Sequence, residues 1–213
     1  MNDFFDELFE IQESSEELEP GVVYEHFGAQ NETVQEMAEQ AAVYGEYSVD
    51  AAVWEKTDNP FLDGLYCEQY VAALLCDDVY LTEEVYPSGW HGYHAEYGCS
   101  LENVGKSLEA VGLKVEKESH CSIKDVCEAI DCGEKVICSV SSIALSFPEL
   151  ADLPGLTADS FVEVIGVDFT DIEHGKVIVN SPVQDQAAYA LDVTVFSDAW
   201  KQGECYCLVV SNR

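Results

Sequence analysis

The sequence predicts an α+β protein with an antiparallel sheet, on the basis of two observations. Segments with helical patterns are concentrated in the first part of the 213-residue chain, and runs rich in β-branched residues are concentrated in the last part. Segregated helices and strands are typical of α+β folds. With 47% hydrophobic and 11% aromatic residues, the chain can form a domain with a sizeable core.

The N-terminal part, residues 1–45, is predicted to be an acidic helical extension. Apolar residues recur near helical spacing over 2–18, and acidic residues predominate on the remaining face. The cap-like sequence NETVQE predicts a second helix over 31–45. We therefore divide the chain into this extension and a main domain over 46–213, which starts with an irregular segment at 46–63.

Helices are predicted in the main domain over about 65–77 and 100–112. In SIKDVCEAIDCG, Ser122 is a suitable N-cap and Gly133 a suitable terminator, so this segment is predicted to be helical as well. The sequence TVFSDAWKQG predicts one more short helix near the C-terminus. Runs typical of strands occupy 135–141, 161–169, 175–180 and 205–211.

The charge of the chain restricts its partners. Asp and Glu number 42 against 9 Lys and Arg, which gives a net charge of −33, and no Lys or Arg precedes Lys56. Such a field repels nucleic-acid phosphates and anionic membranes, so we expect neither as a partner. A protein or peptide partner, in particular a basic one, is expected instead. Adaptation to salt, a solvated acidic surface and mimicry of a nucleic acid are alternative explanations of the acidity.

The first residues and the cysteines indicate a cytoplasmic protein. The start, MNDFFDELFE, has neither the basic region nor the uninterrupted apolar run of a signal peptide. No segment approaches the ~20 apolar residues that a membrane span requires. The nine cysteines are an odd number, which excludes complete pairing, and we interpret them as reduced thiols.

The order of the segments resembles that of papain-like cysteine peptidases, in particular a bacterial branch similar to the bacteriocin-leader-processing peptidases. Four segments carry the resemblance. CSLENVGKSLEAVGLKVE resembles the family's helix followed by a strand, and SIKDVCEAIDCGEKVICSVS its helix, glycine and buried strand. DSFVEVIGVDF resembles the strand that starts with the catalytic histidine. KVIVNSPVQDQAAYALDVTVFSDAWKQGECYCLVV resembles the strand with Asn-Asp-Pro, a Phe…Trp helix and a closing strand.

The resemblance implies a thiolate, an imidazole that activates it, and an acid or amide that orients the ring. The imidazole position falls on Ser160, and the orienting position falls on Ser181. The nucleophile position falls between Asp63 and Leu65, with Leu65 as the degenerate position, and no cysteine stands there. Because serine cannot accept a proton near neutral pH, we expect no catalytic residue in this chain. Cys67 is the fallback nucleophile.

Other candidate residues lie near this site in the sequence. The glycine-rich loop WHGYHAEYGC corresponds to a loop that borders the substrate cleft in the resembling family, so Trp90 and His91 are predicted to contribute to binding. Asn180, which precedes the orienting position, is predicted to do the same. His91, His94 and other residues of this loop are acceptable zinc ligands, but their spacing matches no closed structural site. We therefore expect no metal and no cofactor.

Three functions are consistent with these features. The first is an inactive papain-like pseudopeptidase that acts as a protein- or peptide-binding module. The second is an active cysteine peptidase that uses Cys67 with an unidentified histidine. The third is an acidic inhibitor or nucleic-acid mimic whose surface is its function. A reactive thiol would distinguish the second function from the other two.

Overall fold

The computed structural model describes residues 42–76, 92–171 and 174–212. In these ranges the chain forms a mixed α+β structure in which helices pack against an antiparallel sheet, as the sequence predicts. The helix predicted over 2–18 lies outside the described residues, and so does most of the proposed extension.

Seven strands belong to the sheet in the described part of the chain. They are β1 (Val43–Tyr44), β2 (Lys114–Glu118), β3 (Lys135–Val140), β4 (Ser160–Asp168), β5 (Lys176–Asn180), β6 (Tyr189–Asp192) and β7 (Cys207–Ser211). The helices are α1 (Tyr47–Asp50), α2 (Asp63–Leu75), α3 (Lys106–Ala110), α4 (Ile123–Asp131), α5 (Ser142–Ser146) and α6 (Val193–Lys201). Short 3₁₀ turns cover Ala51–Val53, Pro60–Leu62 and Pro148–Leu150.

The sheet has the strand order β2-β7-β3-β4-β5-β6, and β1 pairs additionally with β4. Every pair among these strands is antiparallel. The β4–β5 register shifts between Val164 and Gly166, as in a β-bulge. At Gly166 a Cβ would collide with the ring of Tyr47, so only glycine fits where α1 crosses this strand.

Each face of the sheet buries its own apolar cluster. Side chains alternate along β3, so that Val136 and Cys138 contact one cluster and Ile137 contacts the other. Helices α4, α5 and α6 cover the first face, where Phe196 and Trp200 are almost fully buried. Helices α2 and α3 cover the second face. Helix α2 is thereby placed against β4, which carries the predicted imidazole position.

The helices start and stop where their sequences allow. Ser122 and Asp125 form a capping box at the start of α4, and Gly133 adopts a φ of 79° just after its end. Asp192 caps α6 by accepting a hydrogen bond from the Thr194 N–H. No helix in the described ranges is both long and apolar enough to cross a membrane.

Several predicted boundaries differ from the structure. The helix predicted over 31–45 does not extend to its end, because residues 43–44 form β1 by pairing with β4. The helix predicted over 100–112 is reduced to α3, since the preceding residues form turns that end at Gly105, whose φ is 89°. The final strand, predicted over 205–211, starts at Cys207, two residues later than predicted. Cys205 has a positive φ and therefore lies outside the strand.

Candidate functional site

The N-terminus of α2 meets the first residue of β4 through a direct side-chain contact. Asp63, the first residue of α2, accepts a hydrogen bond at Oδ2 from the Ser160 hydroxyl (2.6 Å) and another from the Phe161 N–H (2.8 Å). Its Oδ1 accepts a hydrogen bond from the Gly64 N–H (2.6 Å). Asp63 and Ser160 are both buried. The carboxyl group thus joins two segments that are 97 residues apart in sequence.

The chemistry of the Asp63–Ser160 contact is that of a structural hydrogen bond, which holds the start of α2 against the start of β4. Burial raises the pKa of Asp63 from 3.8 to about 6, although the hydrogen bonds from Ser160, Phe161 and Gly64 lower it. A carboxylate with this pKa is far too weak a base to hold a serine hydroxyl in its ionised form. Neither a thiol nor an imidazole belongs to this contact, so the pair lacks the groups that activate a nucleophile.

Two further carboxyl groups are buried where α2 packs against the sheet. Glu68 Oε1, on α2, accepts hydrogen bonds from the Tyr93 hydroxyl (2.6 Å) and the Gly105 N–H (2.7 Å). Glu163, on β4, is fully buried, and burial raises its pKa to about 8. The pKa of Glu68 is raised by burial as well. This interface therefore disfavours negative charge.

Asn180 is the centre of a buried hydrogen-bond network at the end of β5. Its Nδ2 donates to Glu163 Oε2 and to the Asp50 carbonyl oxygen, both at 2.9 Å, and its Oδ1 accepts from the Ala188 N–H. The Asp50 carboxylate in turn pairs with Lys135 Nζ at 2.7 and 2.8 Å. Asn180 was predicted to bind a ligand, but it is fully buried and its amide is engaged in the structure. Its observed role is to connect β5 with α1 and β4.

Ser181 lies directly after β5 and lines a cavity of about 130 Å³. Its carbonyl oxygen accepts a hydrogen bond from the Trp54 indole (2.9 Å). The cavity wall combines aliphatic side chains with hydroxyl and amide groups; its residues are Leu145, Ser146, Val162, Val179, Ser181, Gln184, Tyr189 and Leu191. Ser160 is not among them, and no hydrogen bond connects the two serines in the described structure. The hydrogen-bond partner of the Ser160 hydroxyl is Asp63 instead.

Cys67 lies one turn into α2 and is completely buried. Its Sγ donates a weak hydrogen bond to the Phe161 carbonyl oxygen (3.5 Å). Burial raises the pKa of Cys67 well above its usual range, and the neighbouring Asp63 and Glu163 raise it further. A thiol in these surroundings stays protonated and has no path to a substrate. Cys67 therefore occupies the core rather than a cleft.

The remaining predicted residues have different locations. Leu65, predicted at the nucleophile position, is buried in the apolar cluster between α2 and the sheet. Asp63, at the other end of the range predicted for the nucleophile position, is the residue whose side chain contacts Ser160. Trp90 and His91 lie outside the described residues. In the part of that loop that is described, His94 stacks on Tyr97, and the described residues contain no group of three or more metal-ligating side chains.

Sequence patterns did not reveal the buried acids. Asp63 lies within the range predicted for the nucleophile position. Its contact with Ser160 joins residues that are 97 positions apart, so it cannot be predicted from a local pattern. Glu163 offered one signal. It is the only charged residue inside the apolar run FVEVIGV, and a charge at such a position in a buried strand calls for a partner or a raised pKa.

The comparisons with known proteins give a distant likeness to solved structures. No protein-family model matches the chain, and no curated protein matches it. A solved structure from Bacillus anthracis, described provisionally as a C39-like peptidase, is similar over 55% of this chain and 61% of that chain. The sequence identity is 16% and the TM-score is 0.43. The chain thus spans less than two thirds of that structure, and a likeness of this extent assigns no activity, substrate or partner.

Proposed function

We propose that this chain is a papain-like pseudopeptidase that binds a protein or peptide partner without cleaving it. The observation that carries the proposal is the hydrogen bond between Asp63 and Ser160. It lies where α2 begins and β4 begins, the two places at which the resemblance expects a thiol and an imidazole. A carboxyl–hydroxyl pair there supports loss of the nucleophile and of its base together.

The burial of Cys67 supports the same conclusion from the other side. A catalytic cysteine must be a thiolate and must reach the scissile carbonyl. Cys67 is fully buried, its pKa is raised, and its thiol contacts the Phe161 carbonyl oxygen. The alternative of an active peptidase that uses Cys67 would require α2 to separate from β4.

We propose that the cavity beside Ser181 receives an apolar side chain of the partner. Its volume of about 130 Å³ is similar to that of an engineered apolar cavity of about 150 Å³ that accommodates benzene. Gln184, Ser146 and Tyr189 supply polar groups around the aliphatic wall. The net charge of −33 favours basic residues next to the apolar side chain in the partner. The nine free thiols support a reducing compartment such as the cytoplasm.

A peptide-binding experiment tests the proposal. The purified chain is screened against a peptide library, and the affinity of the best peptide is measured by fluorescence anisotropy. Ser146→Phe places a bulky side chain at the exposed wall of the cavity and should weaken binding at least about tenfold, equivalent to about 1.4 kcal/mol. Ser119→Phe changes an exposed serine that does not line the cavity, and it should leave the affinity unchanged.

Two outcomes would replace the proposal with its alternatives. Binding that is unaffected by Ser146→Phe but is lost in high salt would favour an acidic interaction surface or nucleic-acid mimic. Turnover of peptides in the same library, abolished by Cys67→Ala, would establish a cysteine peptidase.

A further inference from the structure

Two cysteines that are distant in sequence lie side by side. The Sγ atoms of Cys121 and Cys207 are 3.3 Å apart, and both residues are free thiols. Cys121 directly precedes Ser122, the N-cap of α4, whereas Cys207 is the first residue of β7. A disulfide has an S–S distance of about 2.0 Å, so the two sulfur atoms need to approach by only about 1.3 Å to form one.

The backbone around the two thiols holds them in this position. The Cys121 N–H donates to the Cys205 carbonyl oxygen (3.3 Å), and the His120 N–H donates to the Glu204 carbonyl oxygen (2.7 Å). His120, Glu204 and Cys205 all have a positive φ, between 49° and 60°. Residues other than glycine keep this conformation only where the surrounding structure imposes it. The two segments are therefore fixed against each other next to the sulfur atoms.

The two thiols differ in their access to solvent. Cys121 is half-buried, and its Sγ also lies 3.7 Å from the exposed Glu118 carboxylate, whereas Cys207 is 2% exposed. A small oxidant can thus reach Cys121 first, with Cys207 in place behind it. Burial is the main cause that raises the pKa of both thiols, so the thiolate that reacts becomes more abundant as pH rises.

We propose that Cys121 and Cys207 are a reversible oxidation site that reacts with small-molecule disulfides such as oxidised glutathione. The Cys121 thiolate attacks one sulfur of the small disulfide, forms a mixed disulfide and releases one thiolate. The Cys207 thiolate then attacks the Cys121 sulfur, which forms the Cys121–Cys207 bond and releases the second thiolate. The two protons lost by the cysteines end on the two released thiols. The protein is oxidised by two electrons and the small disulfide is reduced by two.

The bond would connect the start of α4 to the start of β7, the strand between β2 and β3. Strands β3 to β6 lie between these residues in sequence, so the closed loop contains most of the sheet. A cross-link over a loop of this length restricts the unfolded chain strongly, and its stabilising effect is large in the chain-entropy account. Oxidation should therefore raise the melting temperature of the folded protein, and a reductant should reverse the effect. The site is independent of the function proposed above.

The experiment treats the reduced protein of 213 residues with oxidised glutathione between pH 7 and 9. Remaining thiols are blocked with iodoacetamide, and the peptides are analysed by mass spectrometry without reduction. We expect a cross-linked peptide that contains Cys121 and Cys207, formed faster at the higher pH. The oxidised protein should melt about 5–10 °C higher than the reduced protein, and dithiothreitol should remove the difference.

Matched variants identify the pair. Cys121→Ser should abolish the cross-link and the shift in melting temperature. Cys132→Ser is the control: it removes an exposed thiol just after the C-terminus of α4 and should change neither. In Cys207→Ser, Cys121 should stop at the mixed disulfide with glutathione. A stable glutathione adduct on Cys121 in the unmutated protein, a Cys121–Cys205 bond in its place, or no reaction at Cys121 by pH 9 would each overturn the proposal.

Discussion

Glu163→Gln is expected to change how the stability of the protein depends on pH. Glu163 lies in the middle of β4 with no solvent exposure. Its Oε2 accepts a hydrogen bond from Asn180, and its Oε1 has no hydrogen-bond partner among the described residues. Burial raises its pKa from 4.5 to about 8, the Asn180 hydrogen bond and Lys135 lower it, and Asp50 raises it. Glu163 is therefore mostly protonated in the folded protein at neutral pH.

The sign of the effect follows from proton linkage. Between pH 4.5 and about 8, the folded protein keeps a proton on Glu163 that the unfolded chain has released. The stability from this group is fully present below pH 4.5 and is lost as pH rises through about 8. Each pH unit in this window lowers the free energy of unfolding by up to about 1.4 kcal/mol. Over the whole window the loss reaches roughly 4–5 kcal/mol as an upper limit.

Glutamine imitates the protonated carboxyl group and cannot ionise, so the variant should lack this loss. We expect the two proteins to have similar stability at pH 5, and we expect Glu163→Gln to be more stable by about 3–4 kcal/mol at pH 8.5. Asp63 and Glu68 also have raised pKa values and add slopes of the same sign. The difference between the two proteins isolates Glu163 from them.

Urea unfolding at several pH values between 5 and 9 measures this difference. The experiment includes a reductant and follows tryptophan fluorescence, to which Trp200, buried in the core, contributes. Glu109→Gln, an exposed carboxyl on α3, is the matched control and should give a curve parallel to that of the unmutated protein. Parallel curves for Glu163→Gln as well would refute the argument, because Glu163 would then titrate alike in the folded and unfolded chain.

The remaining predictions concern contacts that anchor α1 and α2. The change in the free energy of unfolding is measured by urea unfolding in each case, and peptide binding is measured by fluorescence anisotropy. Asp63→Ala should cost about 2–4 kcal/mol, because it leaves two buried N–H groups and the Ser160 hydroxyl without their acceptor. Ser160→Ala, which removes a single donor, should cost about 1 kcal/mol. Lys135→Met should cost about 3 kcal/mol, since the Asp50 carboxylate would remain buried without its partner. Cys67→Ala should cost about 1–2 kcal/mol through a small cavity and leave peptide binding unchanged.

The parts of the fold that the sequence predicted are those whose pattern is local. Strands β3, β4 and β5 are continuous apolar runs, and Ser122 and Gly133 delimit α4 by their own conformational preferences. Strand β6 was missed because its sequence, YALD, is only four residues long and contains Ala and Asp, which are depleted in strands. Strand β1 was missed because it exists only through its pairing with β4, more than a hundred residues later.

The candidate site depended even more on long-range contacts. The sequence places Ser160 at the start of a strand and the nucleophile position between Asp63 and Leu65, without deciding which residue of that range faces the strand. Buried residues lie on every side of α2, so the helix has no distinct apolar face. Periodicity therefore does not determine which of its residues contacts β4. The hydrogen bonds of Asp63 show that this residue contacts the start of β4, and no local pattern contains them.

The contact between Asp63 and Ser160 indicates where a reactive thiol could be introduced. Ser160→His alone would place an imidazole beside the Asp63 carboxylate. This pair would contain no thiol that could act as a nucleophile. Cys67 would remain buried behind Phe161, so this variant should gain no thiol reactivity.

The double variant Asp63→Cys/Ser160→His would instead place a thiol at the first residue of α2 within reach of an imidazole. A helix N-terminus and a neighbouring imidazolium both lower the pKa of a thiol. At pH 6.5 the introduced thiol should react with iodoacetamide about tenfold faster in the double variant than in Asp63→Cys alone, as measured by peptide mass spectrometry. Equal rates in the two variants would mean that positions 63 and 160 do not meet as the Asp63–Ser160 hydrogen bond requires.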